Sequence, residues 1–250
     1  MKARKTATTL LGTLALLALS VPVFASRMDN RIETSANNSY VFRTYLRGDE
    51  IKVESRDGDV TLVGQVADRS HKALARDTVA GLPGVKSVDD RLEVKGTPPT
   101  ENSDAWLRDK VKATLLLHRS VRGAGTEVEV KDGDVTLRGD AESRAQKELT
   151  TEYVKDIDGV RDVRNEMSVK HHPKGRTAGQ KIDDASITSL VKMSLLYHRS
   201  SSALHTEVST KRGVVTLTGK ADTEAQVNLA SKLARDVNGV KEVRNRMSVQ

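Results

Sequence analysis

The eight residues "DGDVTLVG" at 57–64 return as "DGDVTLRG" at 132–139 and as "RGVVTLTG" at 212–219, after steps of 75 and 80 residues. A second landmark keeps both steps: "GVKSV" at 84–88, "GVRDV" at 159–163 and "GVKEV" at 239–243. The closing segments "DDRLEV", "RNEMSV" and "RNRMSV" follow in register. Two landmarks that share two steps across long gaps define a duplicated unit. The units run over 29–95, 104–170 and 183–250. Between them lie "GTPPTENS" (96–103) and "HHPKGRTAGQKI" (171–182), with the Pro, Gly and polar content of linkers. A chain of 250 residues built this way folds as three small tandem domains, not one large one.

Each unit reads as α-β-β-α-β. Leu107, Val111 and Leu115 recur every four residues, as do Ile187, Val191 and Leu195, which makes one apolar helical stripe. Asp104 and Asp184 stand ahead of these stripes as candidate N-caps. Two short strands follow, "TEVEV" and "DVTL" in the second unit and "IKVES" and "DVTL" in the first. The "DG" pairs at 57–58 and 132–133 supply hairpin turns, because Gly accepts positive φ; "KRG" at 211–213 makes the same bend.

A second helix comes after Gly64, Gly139 or Gly219. Asp68 is its cap in the first unit, while Ser143 with Gln146 and Thr223 with Gln226 have capping-box spacing. Ala145, Leu149 and Tyr153 or Val154 are expected to face inward, matched by Ala225, Leu229, Leu233 and Ala234. Gly84, Gly159 and Gly239 are expected to stop that helix. The last strand alternates Val163, Asn165, Met167 and Val169 with Arg164, Glu166 and Ser168. The expected class is therefore α+β: three tandem modules, each a three-stranded mixed sheet covered on one face by two helices. The first unit opens more weakly, with Ile32, Tyr40 and Phe42 interrupted by "SANNS".

Ahead of the repeats, Lys2, Arg4 and Lys5 precede the apolar stretch Leu10 to Leu19 and the small-residue exit "VPVFAS". That layout is a secretory signal peptide over 1–25, with cleavage after Ala25, and it predicts a periplasmic protein. The chain has no Cys, so no lipidated cysteine and no disulfide can form.

The α-β-β-α-β order, the "VTLxG" strand exit and the "GVxxV" lead into the last strand resemble the BON domain of bacterial envelope proteins, three times over. A signal peptide followed by such domains is similar to the hyperosmotically inducible periplasmic proteins. The resemblance implies a non-enzymatic envelope role with binding to phospholipid surfaces.

Residues for catalysis are not assembled in any recognisable pattern. There is no Cys nucleophile, no "GxSxG", no "GxxxxGK[ST]" and no "HExxH". No metal or other cofactor is expected. The "DGD" pieces lack the later ligands of a calcium loop and read as turns. His171 and His172 are adjacent in a linker, short of the three or four ligands a metal needs. "HRS" at 118–120 and 198–200 has two readings: a repeated ligand or proton donor, or a cation at a helix C-terminus. Trp106, the single Trp, has Ser186 as its counterpart, which argues against deep core at that position. It packs between units or anchors the protein at a lipid or partner surface.

Charge gives a direction. Residues 29–95 hold 11 basic and 12 acidic residues and 104–170 hold 13 and 14, whereas 183–250 hold 10 and 7. The linker adds Lys174, Arg176 and Lys181. With Lys241, Arg244 and Arg246 on the last strand, these residues and Trp106 form the expected docking surface for anionic phospholipid; an ordinary solvated face is the alternative. A protein-binding or chaperone-like role toward envelope or unfolded proteins is the competing function. Nucleic acid is not an expected partner, since aromatic residues make up only 3% and no stacking platform is visible.

Overall fold

The computed structural model describes residues 23–96, 99–121, 123–170, 182–201 and 205–250. Module 1 contains helices α1 (Val23–Asn38) and α2 (Tyr40–Thr44), strands β1 (Glu50–Arg56) and β2 (Asp59–Val66), helix α3 (Arg69–Ala80) and strand β3 (Ser87–Val94). Module 2 repeats the order with α4 (Asp104–Leu117), β4 (Thr126–Lys131), β5 (Asp134–Ala141), α5 (Arg144–Lys155), β6 (Asp162–Asn165) and β7 (Ser168–Val169). Module 3 has α6 (Asp184–Tyr197), β8 (His205–Lys211), β9 (Val214–Ala221), α7 (Glu224–Asp236), β10 (Glu242–Asn245) and β11 (Ser248–Val249). The expected α+β class holds: each module is a mixed sheet with the "VTL" strand in the middle, antiparallel to the strand before it and parallel to the last.

Local chemistry explains these elements. Asp57 and Gly58, Asp132 and Gly133, and Arg212 and Gly213 all have positive φ, the backbone of a tight twisted hairpin. Asp68, Ser143 and Thr223 cap α3, α5 and α7 through their side chains, and Thr223 with Gln226 completes a capping box. The strand-exit glycines are required sterically. A Cβ on Gly64, Gly139 or Gly219 would lie 1.8, 2.3 or 2.1 Å from the carbonyl oxygen of Glu50, Gly125 or His205, at or just before the start of the paired strand.

Several expectations are corrected. Asp104 and Asp184 are not the caps: Ser103 and Asp183 are, one residue earlier. The Asp104 carboxylate instead accepts the amides of Asp132 and Gly133, at 2.8 and 3.0 Å, and Asp184 does the same for Arg212 and Gly213. Asp29 repeats the contact with Asp57 and Gly58, so each opening helix holds the turn of its own hairpin. Gly84, Gly159 and Gly239 lie in the turn beyond the second helix, which already ends at Ala80, Lys155 or Asp236. Ala145 and Ala225 are exposed, since the buried stripe of these helices begins at Thr150 and Ala230. In modules 2 and 3 the last strand is split without loss of register. Asn165 and Asn245 turn their side-chain oxygens to the amides of Met167 and Met247, interrupting the ladder. Val169 and Val249, past that break, are half exposed. In module 1 the "SANNS" interruption is a break between two helices, with Ser39 capping α2.

The modules do not stand apart. Module 2 has its own core around Leu107, Val111, Leu115, Val135, Leu137 and Val154. Modules 1 and 3 share one continuous apolar cluster, from Ile32 and Leu74 to Val191 and Leu217. Helix α3 lies on α6, so α6 is buried well beyond its expected stripe, including Ser186, Thr188, Ser189, Leu190 and Ser194. Module 1 supplies partners for two of the buried hydroxyls, those of Ser186 and Ser189. The Val41 amide donates to Ser186 at 3.1 Å, and Thr78 and Ser189 are 2.8 Å apart. Ser186 is thus fully buried, contrary to the inference from its pairing with Trp106.

Candidate functional site

Alternation along β8, β9 and β10 turns Val208, Val215, Leu217 and Val243 toward the helices and leaves the opposite face open. Lys211, Lys220, Arg244 and Arg246 stand on that open face with only Glu207 and Glu242 as acids. Lys241 is exposed at the foot of β10. Arg244 is paired with Glu242 at 2.9 Å; no ion pair of Arg246 occurs among the described residues. The same positions differ in module 2. There Arg138 bridges Glu129 and Glu166, at 2.8 and 2.9 Å. Ser209, Thr218 and Arg246 replace that neutralised trio in module 3. Module 1 offers Lys52, Arg56 and Arg91 against Glu50, Glu54, Asp59, Asp89 and Glu93, with Lys52 and Arg91 tied to Glu54 and Asp89. One sheet face of the three is therefore cationic. Lys174, Arg176 and Lys181 lie outside the described residues.

Trp106 is on the first turn of α4 and half-buried against the module 2 core. The Lys110 ammonium lies 4.7 Å from its ring centre and 5.9 Å from that of Tyr197 in module 3. Lys110 is itself buried and donates to the Asp158 carbonyl; burial pushes its ammonium below the usual lysine range. Lys110 thus lies between Trp106 of module 2 and Tyr197 of module 3.

The "HRS" pairs have a role that neither sequence reading described. His118 and His198 end α4 and α6 in extended conformation. His118 forms an antiparallel bridge with Val237 of module 3, and His198 forms one with Ile157 of module 2. The Arg119 amide donates to the Asp236 carbonyl at 3.0 Å, and the Arg199 amide to the Asp156 carbonyl at 2.8 Å. Each residue of one half has its counterpart 80 positions away in the other, so the two modules clasp about a local two-fold axis. The side chains are less symmetric. Asp236 takes hydrogen bonds from the His118 ring at 3.1 Å, from Tyr153 at 2.5 Å and from Ser120. Burial raises the pKa of Asp236, but these donors together outweigh it and hold the carboxyl below the usual range. Asp156 has His198 at 3.4 Å and is mostly exposed. The repeated "D-x-x-G-V" at 156–160 and 236–240 was the legible signal for this contact.

Comparison with known proteins agrees with the fold. The BON domain family matches residues 28–96, 103–171 and 183–250. This chain belongs to the BON-domain family. The chain is similar in sequence to Osmotically-inducible protein Y of Escherichia coli K12, at 35% identity over 142 residues, spanning 57% of this chain and 70% of that protein. It also matches Outer membrane lipoprotein DolP of Haemophilus influenzae, at 30% identity over 148 residues, spanning 59% and 75%. Among solved structures, the C-terminal domain of CdsD from Chlamydia trachomatis aligns with 89% of this chain and 97% of its own at 16% identity, with a TM-score of 0.24. No group of histidines and carboxylates among the described residues could hold a metal ion, and no described helix is long and apolar enough to cross a membrane.

Proposed function

We propose that this BON protein is exported to the periplasm, performs no catalysis, and serves envelope maintenance under osmotic stress. In this reading its third module docks on anionic phospholipid through the open face of its sheet. The observation that carries the reading is the cationic character of that face, where Ser209, Thr218 and Arg246 replace the paired Glu129, Arg138 and Glu166 of module 2. Lys174, Arg176 and Lys181 of the 171–182 linker add to the same charge surplus. The names of the relatives, one osmotically inducible and one of the outer membrane, support the setting.

Each basic residue near an anionic surface contributes about 1 kcal/mol, so four cations set against Glu207 and Glu242 on one face favour the membrane by roughly 2 kcal/mol at low salt. Binding is therefore modest and screened by salt. Co-sedimentation with vesicles of phosphatidylglycerol and phosphatidylcholine tests this. Binding to the anionic vesicles alone, lost on combined Arg244→Glu and Arg246→Glu, is the expected result. Equal binding to purely neutral vesicles, or none to either, contradicts it; suppression of client aggregation without lipid would favour a chaperone-like role instead.

A further inference from the structure

The clasp between modules 2 and 3 is isologous: the same patch on both modules meets itself. His118 bridges Val237 while His198 bridges Ile157, and the Arg119 and Arg199 amides donate to the Asp236 and Asp156 carbonyls. The guanidinium groups follow the pattern, Arg119 reaching the Val240 carbonyl at 3.5 Å and Arg199 that of Val160 at 2.8 Å. Most of these partners are backbone atoms, so the patch recognises a chain turn of a given shape. Module 1 has neither half, with Arg43 and Thr44 where His and Arg stand, and "GLPG" at 81–84 in place of "DIDG" or "DVNG". It accordingly packs through α3 on α6 and, among the described residues, makes no such clasp.

We infer that the His-Arg-Ser corner and the Asp-x-x-Gly-Val corner form a self-complementary pairing surface whose partner, besides the neighbouring module, is a second copy of this chain. Self-matching patches are the kind that close two-fold dimers, and exchange of one identical element between protomers needs no new contact. Module 3 is the element exchanged. Its α6 seats on module 1 and its clasp on module 2, and modules 1 and 2 of a second copy present both surfaces unchanged. Within one chain the tether sets an effective concentration in the millimolar range, which keeps the protein monomeric when dilute.

The native chain has no cysteine, so introduced thiols report this pairing cleanly. Bridge partners in antiparallel pairs have Cα atoms about 4.5–5.5 Å apart, within disulfide range. Two full-length variants, His118→Cys and Val237→Cys, are unfolded together in urea, refolded by dilution and oxidised. The expected product is a disulfide between the two variants whose yield rises about tenfold between about 10 µM and about 100 µM, both below the effective concentration. Moving the second cysteine from position 237 to the open sheet face, as Thr216→Cys, is expected to lower that yield several-fold, because position 216 lies outside the clasp. The double variant His118→Cys/Val237→Cys, refolded alone, is expected to close the bond within one chain. If the double variant closes its bond and the mixed single variants never link, exchange between copies is overturned. An equal yield with Thr216→Cys in place of Val237→Cys marks chance collision and overturns it equally, as does a double variant that stays reduced.

Discussion

Asp156 and Asp236 occupy equivalent places in the clasp, yet truncating them should have very different effects. Both accept an arginine amide on their backbone carbonyls, and those bonds survive replacement by alanine. The difference between Asp156→Ala and Asp236→Ala therefore isolates the carboxylates. Asp236 is 13% exposed and accepts from His118, Ser120 and Tyr153, so its loss strands three donors between modules. At roughly 1 kcal/mol or more for each stranded group, Asp236→Ala is expected to destabilise by about 3 kcal/mol. Asp156 is 57% exposed with one partner at 3.4 Å, and a pair of that kind contributes less than about 1 kcal/mol. Urea unfolding followed by the fluorescence of Trp106, which sits beside Lys110 at the junction with module 3, reads the contrast. The midpoint should fall by about 1 M for Asp236→Ala and by a small fraction of that for Asp156→Ala. Equal shifts, or a larger one for Asp156→Ala, would refute the unequal division of the clasp.

Three further outcomes can be checked. The Asp29 carboxyl is held below the usual range by hydrogen bonds from Ser55, Gly58 and Asp57, and Asp236 is also depressed, so both contribute stability that is full above about pH 4 and lost as pH falls further. His198 is depressed by burial despite Asp156, so the unfolded chain takes up its proton first and stability declines below about pH 6.5. Melting temperature should therefore fall in two steps on acidification, and His198→Asn should remove the upper one. Gly139→Ala forces a Cβ to 2.3 Å from the Gly125 carbonyl at φ +122°, and should destabilise by about 3 kcal/mol or abolish folding of module 2, seen as loss of its melting transition. Lys110→Met exchanges a buried ammonium for a chain of similar length at a site where module 3 carries the buried Leu190, and should change stability by less than about 1.5 kcal/mol, whereas Lys110→Ala should lose more in the same melt.

How much of this was legible in the sequence depended on the range of the interaction. The hairpin glycines, the second-helix caps and the stripes Leu107–Val111–Leu115 and Ile187–Val191–Leu195 are local patterns, and the structure reproduces them. The contact from Asp29, Asp104 or Asp184 to a turn 28 residues on is repeated in all three units, but a carboxylate at a helix start has a nearer use as a cap, which hid it. The burial of Ser186, Ser189 and Ser194 could not be read from α6 alone, because their cover comes from module 1. "HRS" stood out by repetition, but its partners are mostly backbone carbonyls, which leave little trace in side-chain identity. The charge bias of the last unit was visible by counting; its placement on one sheet face follows from strand alternation and register.

Thr61, Thr136 and Thr216 stand at equivalent positions in the middle strands of the three sheets, on the faces turned away from the helices. Because the chain lacks cysteine, each can be replaced singly by Cys and given an environment-sensitive fluorophore. On titration with phosphatidylglycerol vesicles at low salt, the account requires a membrane-induced shift at position 216, reversed by added salt, with positions 61 and 136 unchanged. Equal responses at all three positions, or a response at 61 or 136 without one at 216, would contradict it.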